Sequence, residues 1–191
     1  MEKHLNASEP KKELKYPLVV WHYARGMAML SKNLPAEAKK HLVSMKKTMI
    51  DPKLKDLTIW NINNISDLCE IASITLEGEI NAKEKNYDKA ISLLKQAVAK
   101  EDKLNYNEPP DWFFSVRHHL GVVLIDAGKY NDAIKIYEED LKTFPNNGWA
   151  LKGLMNAHEK LNDQKRYEEV KTRFNEAWKY ADIEITSSRI L

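Results

Sequence analysis

The sequence predicts an all-α chain built from about four antiparallel helix hairpins. Three observations point there. Ala, Leu, Lys and Glu are plentiful, while glycine and proline number only six and seven in 191 residues, a mixture of good helix formers with few breakers. Clear runs of alternating β-branched residues, the mark of half-buried strands, are hard to find. A small-residue pattern also recurs. Gly26 and Ala38, Gly78 and Ala90, and Gly121 and Ala133 share one spacing, and Leu42, Leu94 and Tyr137 each follow one helical turn later. Two helices joined by a short turn must approach closely at one level. A glycine on the first and an alanine on the second remove bulk there, and the large residue one turn on fills the groove.

The remaining composition is ordinary, at 43% hydrophobic, 30% charged and net charge +2. Nucleic-acid-binding domains usually carry a clear basic excess, and disordered chains combine few apolar residues with high net charge; this chain has neither. It has no run of about 18 apolar residues to span a membrane. Residues 1–10 hold no apolar signal core, so the chain reads as cytoplasmic. The single cysteine, Cys69, excludes an internal disulfide or a cysteine-based metal site. Within the apolar run 65–74 it reads as a buried, inert thiol.

Taken in order, residues 1–15 are polar and loose. A first helix over 16–30 carries Leu18, Val19, Val20, Trp21, Tyr23, Met27, Met29 and Leu30. It is apolar nearly all round and needs a cover. Asn33 suits a left-handed turn position, and Pro35 suits the opening of the next helix. Residues 51–53 read as a loop, with an early helix start near 54–60. In the second hairpin the turn falls on Lys85, which tolerates a left-handed conformation poorly, with Asn86 adjacent. Residues 105–111 form another turn, with Asp111 placed to cap the next helix. That helix covers about 112–127, Gly128 supplies its left-handed C-cap, and its partner runs to Thr143 before Pro145 stops it. The fourth hairpin has Trp149, Leu151, Leu154 and Met155, a cap at Asn162, and then Tyr167, Val170, Phe174 and Ala177. After Trp178 the tail begins helically and turns extended, and Ile183, Ile185, Ile190 and Leu191 could tuck against the last helix.

Leu120, Gly121, Leu124, Ala133, Tyr137 and Pro145 together resemble the tetratricopeptide repeat family, whose unit is 34 residues. The likeness covers 18–182, in pairs near 18–50, 56–104, 112–145 and 148–180, within a domain over 16–182 that is followed by a tail over 183–191. The chain is also similar to the C-terminal part of longer bacterial proteins of this family. The resemblance implies a short right-handed superhelix whose first helices line a concave groove. In that register the groove residues are Val20, Tyr23, Met27 and Leu30; Thr75, Glu79 and Lys83; Ser115, His118, Val122 and Asp126; and Trp149, Lys152, Asn156 and Glu159. Tyr23, Met27, Ser115, His118, Val122, Trp149, Lys152 and Asn156 are the peptide-contacting candidates among them. Lys152 and Asn156 match two positions with which some members clamp a peptide carboxylate. His119 stands where those members have asparagine, so the rest of the clamp does not match.

Signs of catalysis are lacking. There is no glycine-rich phosphate loop, no Gly-x-Ser-x-Gly elbow and no His-Glu-x-x-His helix. His118 and His119 are adjacent and point about 100° apart on a helix, so they cannot share one ion. His22, His41 and His158 are scattered packing or surface residues, and Glu138, Glu139 and Asp140 read as a solvated helix face. No catalytic residue, metal ligand or cofactor is assigned.

The expected function is a non-catalytic interaction module that binds a peptide or protein segment in the groove. The alternative is a structural role, in which the apolar first helix pairs with a second copy or packs on a further unit of a longer solenoid.

Overall fold

The computed structural model describes residues 7–189. Among these, eight α-helices make up the architecture: α1 (Lys15–Ser31), α2 (Pro35–Met49), α3 (Ile65–Lys83), α4 (Tyr87–Glu101), α5 (Val116–Asp126), α6 (Tyr130–Thr143), α7 (Gly148–Lys160) and α8 (Gln164–Trp178). Consecutive helices pack as the pairs α1/α2, α3/α4, α5/α6 and α7/α8, so the all-α class is as the sequence predicts. The chain divides into two compact units, Met1–Phe113 and Phe114–Ile190. No helix among the described residues is long and apolar enough to cross a membrane.

All four hairpins turn in the same way. Each has one left-handed residue: Asn33 (φ 62°), Lys85 (φ 64°), Gly128 (φ 74°) and Asn162 (φ 56°). The amide of the following residue then reaches back over the helix end. Leu34 bonds the carbonyl of Met29, Asn86 that of Asn81, Lys129 that of Leu124 and Asp163 that of His158, at 2.8–3.0 Å. This closure satisfies helix carbonyls that would otherwise lack a partner. Glycine and asparagine take the left-handed residue at little cost; the Lys85 side chain meets its own backbone.

The glycines act as the spacing suggests, with one exception. A Cβ on Gly78 would overlap Leu94, and one on Gly121 would overlap Tyr137. Ala38, Ala90 and Ala133 are fully buried opposite them. At Gly26 the space is filled by Leu76 of α3 rather than by Leu42, so the first hairpin receives its filler from the next one.

Two local expectations are corrected. The segment before α3 is not an early helix: a 3-10 turn over Pro52–Leu54 leads into short strands β1 (Thr58–Ile59) and β2 (Asn63–Asn64). Their turn places Trp60 (φ 53°) and Asn61 (φ 58°) in the left-handed region, the requirement of a type I′ hairpin turn. The second correction is that α5 begins at Val116 rather than near 112. Its cap is Ser115, which accepts from the Arg117 amide. Asp111 instead holds the side-chain amides of Asn63 and Asn107, at 2.8 and 2.7 Å. Trp112 turns inward onto Tyr23, their ring centroids 5.5 Å apart, and burying that indole outweighs one more helical turn. In the tail Ile185 is half-buried. Ile183 is 53% exposed while Ser188 is fully buried; Ile190 and Leu191 fall outside the described residues.

The apolar first helix is covered by its own unit. Leu18, Val19, Tyr23, Met27 and Leu30 are all buried, and Val20 alone among the large aliphatic residues of α1 is classed as exposed.

Replacing Lys85 with glycine removes a side chain from a left-handed position and should stabilise the chain by about 1 kcal/mol, net of the extra entropy of the unfolded glycine. Urea unfolding followed by helical circular dichroism reads this as a raised midpoint. An unchanged or lowered midpoint would contradict it.

Candidate functional site

The most densely connected polar site lies in the second unit, around Tyr137 of α6. Its ring rests against two backbones at once, because a Cβ on either Gly121 of α5 or Gly153 of α7 would overlap it. The ring therefore fills a slot between α5 and α7. Its hydroxyl meets the Ser188 hydroxyl at 2.6 Å. Ser188 in turn donates to the His118 carbonyl at 3.1 Å, so the tyrosine is the donor in the shared bond. Burial pushes the Tyr137 phenol well above its ordinary range, which keeps it a neutral donor.

A second network locks the helix ends. His118 Nε2 lies 2.9 Å from the Asn147 side-chain amide and 3.4 Å from the Asp140 carboxylate. Asn147 also donates to Asp140 at 2.8 Å, and its Oδ1 accepts from the Trp149 amide to cap α7. Burial raises the Asp140 carboxyl, but hydrogen bonds from His118, Ser115 and Asn147 outweigh it and hold the group below its ordinary range. The latch joins the start of α5, the end of α6 and the start of α7. An acidic run that reads as a solvated face thus contains one buried member: Asp140 is 3% exposed.

Residues 183–189 run across this platform. The Trp178 indole donates to the Ile183 carbonyl at 2.8 Å, and Asn156 of α7 donates to the Thr186 carbonyl at 2.9 Å. Beyond Ser188, the Arg189 guanidinium pairs with Asp126 at the end of α5 at 3.2 Å. The segment buries little apolar surface, since Thr186 is exposed and Ile185 half-buried. Each hydrogen bond contributes about 1 kcal/mol net, and a pair as exposed as Arg189–Asp126 contributes less. Ordering the segment's backbone costs a comparable amount, so it is held weakly relative to the helices.

The sequence-predicted residues are distributed over both units. Tyr23 and Met27 are buried on α1, Tyr23 beneath Trp112 and Phe113. In the second unit Ser115 caps α5, His118 belongs to the latch and Val122 is buried. Trp149 stands edge-on between Phe114 and Trp178, at 5.6 Å from each. The Lys152 ammonium lies over the Phe174 ring at 5.8 Å, and Asn156 holds the tail's backbone. Of the other groove positions, Thr75 and Glu79 are buried on α3, Lys83 and Glu159 are exposed, and Asp126 pairs with Arg189.

Three features escape sequence reasoning. Gly153 is one; counting a repeat length from Gly121 leads to Met155, two positions away. Ser188, in a polar tail, is another. The third is the histidine pair His22–His41, which looks scattered in sequence but meets across α1 and α2 with Nδ1 atoms 3.1 Å apart. Burial lowers both pKa values, and His22 lowers His41 further. The pair rests neutral, one ring donating to the other, with the Trp21 ring edge-on to both. Among the described residues no group of three or more His, Cys, Asp or Glu is arranged to hold a metal. Cys69 is buried on α3, and burial pushes its thiol up to about 12, so it is no nucleophile at neutral pH. A scan against protein-family models gives no match to this chain, and a search of curated proteins gives none either.

Asp140→Asn should cost about 2 kcal/mol at neutral pH, because it withdraws the charged acceptor from three donors. The folded carboxyl titrates below the ordinary 3.8, so its contribution is complete above that pH and is lost as pH falls through the depressed value. Urea midpoints of wild type and variant should therefore differ at pH 7 and converge in acid. A gap independent of pH would contradict this assignment.

Proposed function

We propose that the chain is a non-catalytic interaction module of tetratricopeptide type, cytoplasmic in setting, that binds an extended peptide or partner segment on the α5/α7 platform. One observation carries the reading: an irregular, bent stretch of the chain's own tail already lies on that platform. It is held through a backbone carbonyl by Asn156, through a buried hydroxyl by Tyr137 and the His118 carbonyl, and through a charge by Asp126. Backbone bonds together with a few side-chain pockets are how helical grooves and sheet edges read extended segments. The repeated turn closure and the glycine slots support the family resemblance. The buried His118–Asp140–Asn147 network joins three helix ends, and His118 Nδ1 is its one ring nitrogen without a hydrogen-bond partner; a network that ties elements together supports scaffolding. The alternative, pairing of α1 with a second copy or a further unit, has only its half-buried Trp21 and Met29 and exposed Val20 behind it, whereas the platform already holds a segment.

Random dodecapeptides displayed on phage can be panned against the full chain carrying Arg189→Glu, which loosens the tail. Enriched peptides should lose about fivefold in affinity when Asn156→Ala is added, the value of one lost hydrogen bond of about 1 kcal/mol. Absence of enrichment, or peptides indifferent to Asn156→Ala, would overturn the reading.

A further inference from the structure

The platform's partner can be specified further, because the tail shows which chemistry it accepts. Resting on the platform reading above, we propose that the α5/α7 platform recognises a bent, non-helical segment carrying a serine followed by arginine, and that Thr186-Ser187-Ser188-Arg189 is a built-in copy of that ligand which an external segment must displace.

Two subsites set this specificity. The first is closed and polar. Among the described residues of the tail Ser188 alone is fully buried, and its hydroxyl both accepts from Tyr137 and donates to the His118 carbonyl. A site that offers one donor and one acceptor at the end of a glycine-walled slot suits a small hydroxyl. An alanine leaves the buried phenol unpaired, and a valine adds bulk as well. The second is open and acidic. Asp126 pairs with Arg189 from the rim of α5, where a cation is preferred and an anion repelled. Between them Asn156 reads only a carbonyl, which fixes register without selecting a side chain.

The tail also fits the part of a displaceable occupant. Among its described residues the attachments include hydrogen bonds and a half-exposed ion pair, while Ile183 is 53% exposed, Ile185 only half-buried and Thr186 exposed, so little apolar surface is buried. A covalently attached copy competes at high effective concentration, so a free segment binds the wild-type chain weakly until the tail is loosened.

The test uses full-length protein and a fluorescein-labelled peptide, IEITSSRIL, copied from the tail. Its readout is fluorescence anisotropy. Two host variants loosen the tail: Arg189→Glu, which leaves the platform intact, and Asp126→Arg, which reverses its charge. The Arg189→Glu chain should bind the peptide at least about tenfold more tightly than wild type. It should lose a similar factor when the peptide's second serine becomes valine or its arginine becomes glutamate. The Asp126→Arg chain should show the opposite preference and favour the glutamate peptide. Binding that depends on Asn156 but ignores both peptide substitutions would overturn this specificity while leaving the platform reading standing. No binding to either host would overturn both. If both hosts lose their helical circular dichroism, the tail is part of the fold rather than an occupant, and the proposal fails.

Discussion

Tyr137 reaches Ser188 because two helices leave it room. Gly121 on α5 and Gly153 on α7 both face its ring, and a single methyl group on either would overlap it. That double absence of side chains fixes how close α5 and α7 can come to α6. It also brings a hydroxyl from α6 into contact with the tail. The surrounding features serve the same geometry. The His118–Asp140–Asn147 latch pins the ends of these three helices, and Ser115 and Asn147 cap the two helices that form the slot. Close packing makes the arrangement intolerant of added volume, so the slot and the platform stand or fall together.

The same logic operates more simply in the other unit. There Gly78 admits Leu94 and Gly26 admits Leu76, and apolar side chains end where they are buried. Only in the second unit does the filling residue carry a polar tip, and only there does it have a polar partner beyond the slot. A tyrosine in place of leucine gives the packing device a polar tip that bonds Ser188.

What was legible in the sequence follows from range. The turn residues Asn33, Lys85, Gly128 and Asn162 act through dihedrals and bonds to residues a few positions away, so local patterns report them. The Gly78–Leu94 and Gly121–Tyr137 contacts lie within one hairpin and follow from spacing. The α5 start was missed because Trp112 prefers a distant partner, Tyr23, to one more helical turn. Asp140 looked solvated because His118 and Asn147, which bury it, come from other elements. Ser188 contacts residues 51 and 70 positions away, and no periodicity encodes such a pairing. Gly153 lies two positions from the one the repeat length reaches, although the turn residues Gly128 and Asn162 are in phase, and its contact is Tyr137 of the preceding hairpin. The candidate residues were therefore legible as positions on first helices, but not as a site: of them only Asn156 and the His118 carbonyl are bonded to the tail, and Tyr23 and Met27 are buried in the other unit.

The account rests on the Tyr137 ring passing between two glycines to meet the tail. Nuclear Overhauser contacts in an isotope-labelled sample test it most directly. The Tyr137 ring protons should show contacts to the α-protons of Gly121 and Gly153 and to the β-protons of Ser188. Contacts to both glycines but none to Ser188, with residues 183–189 at random-coil shifts, would contradict it.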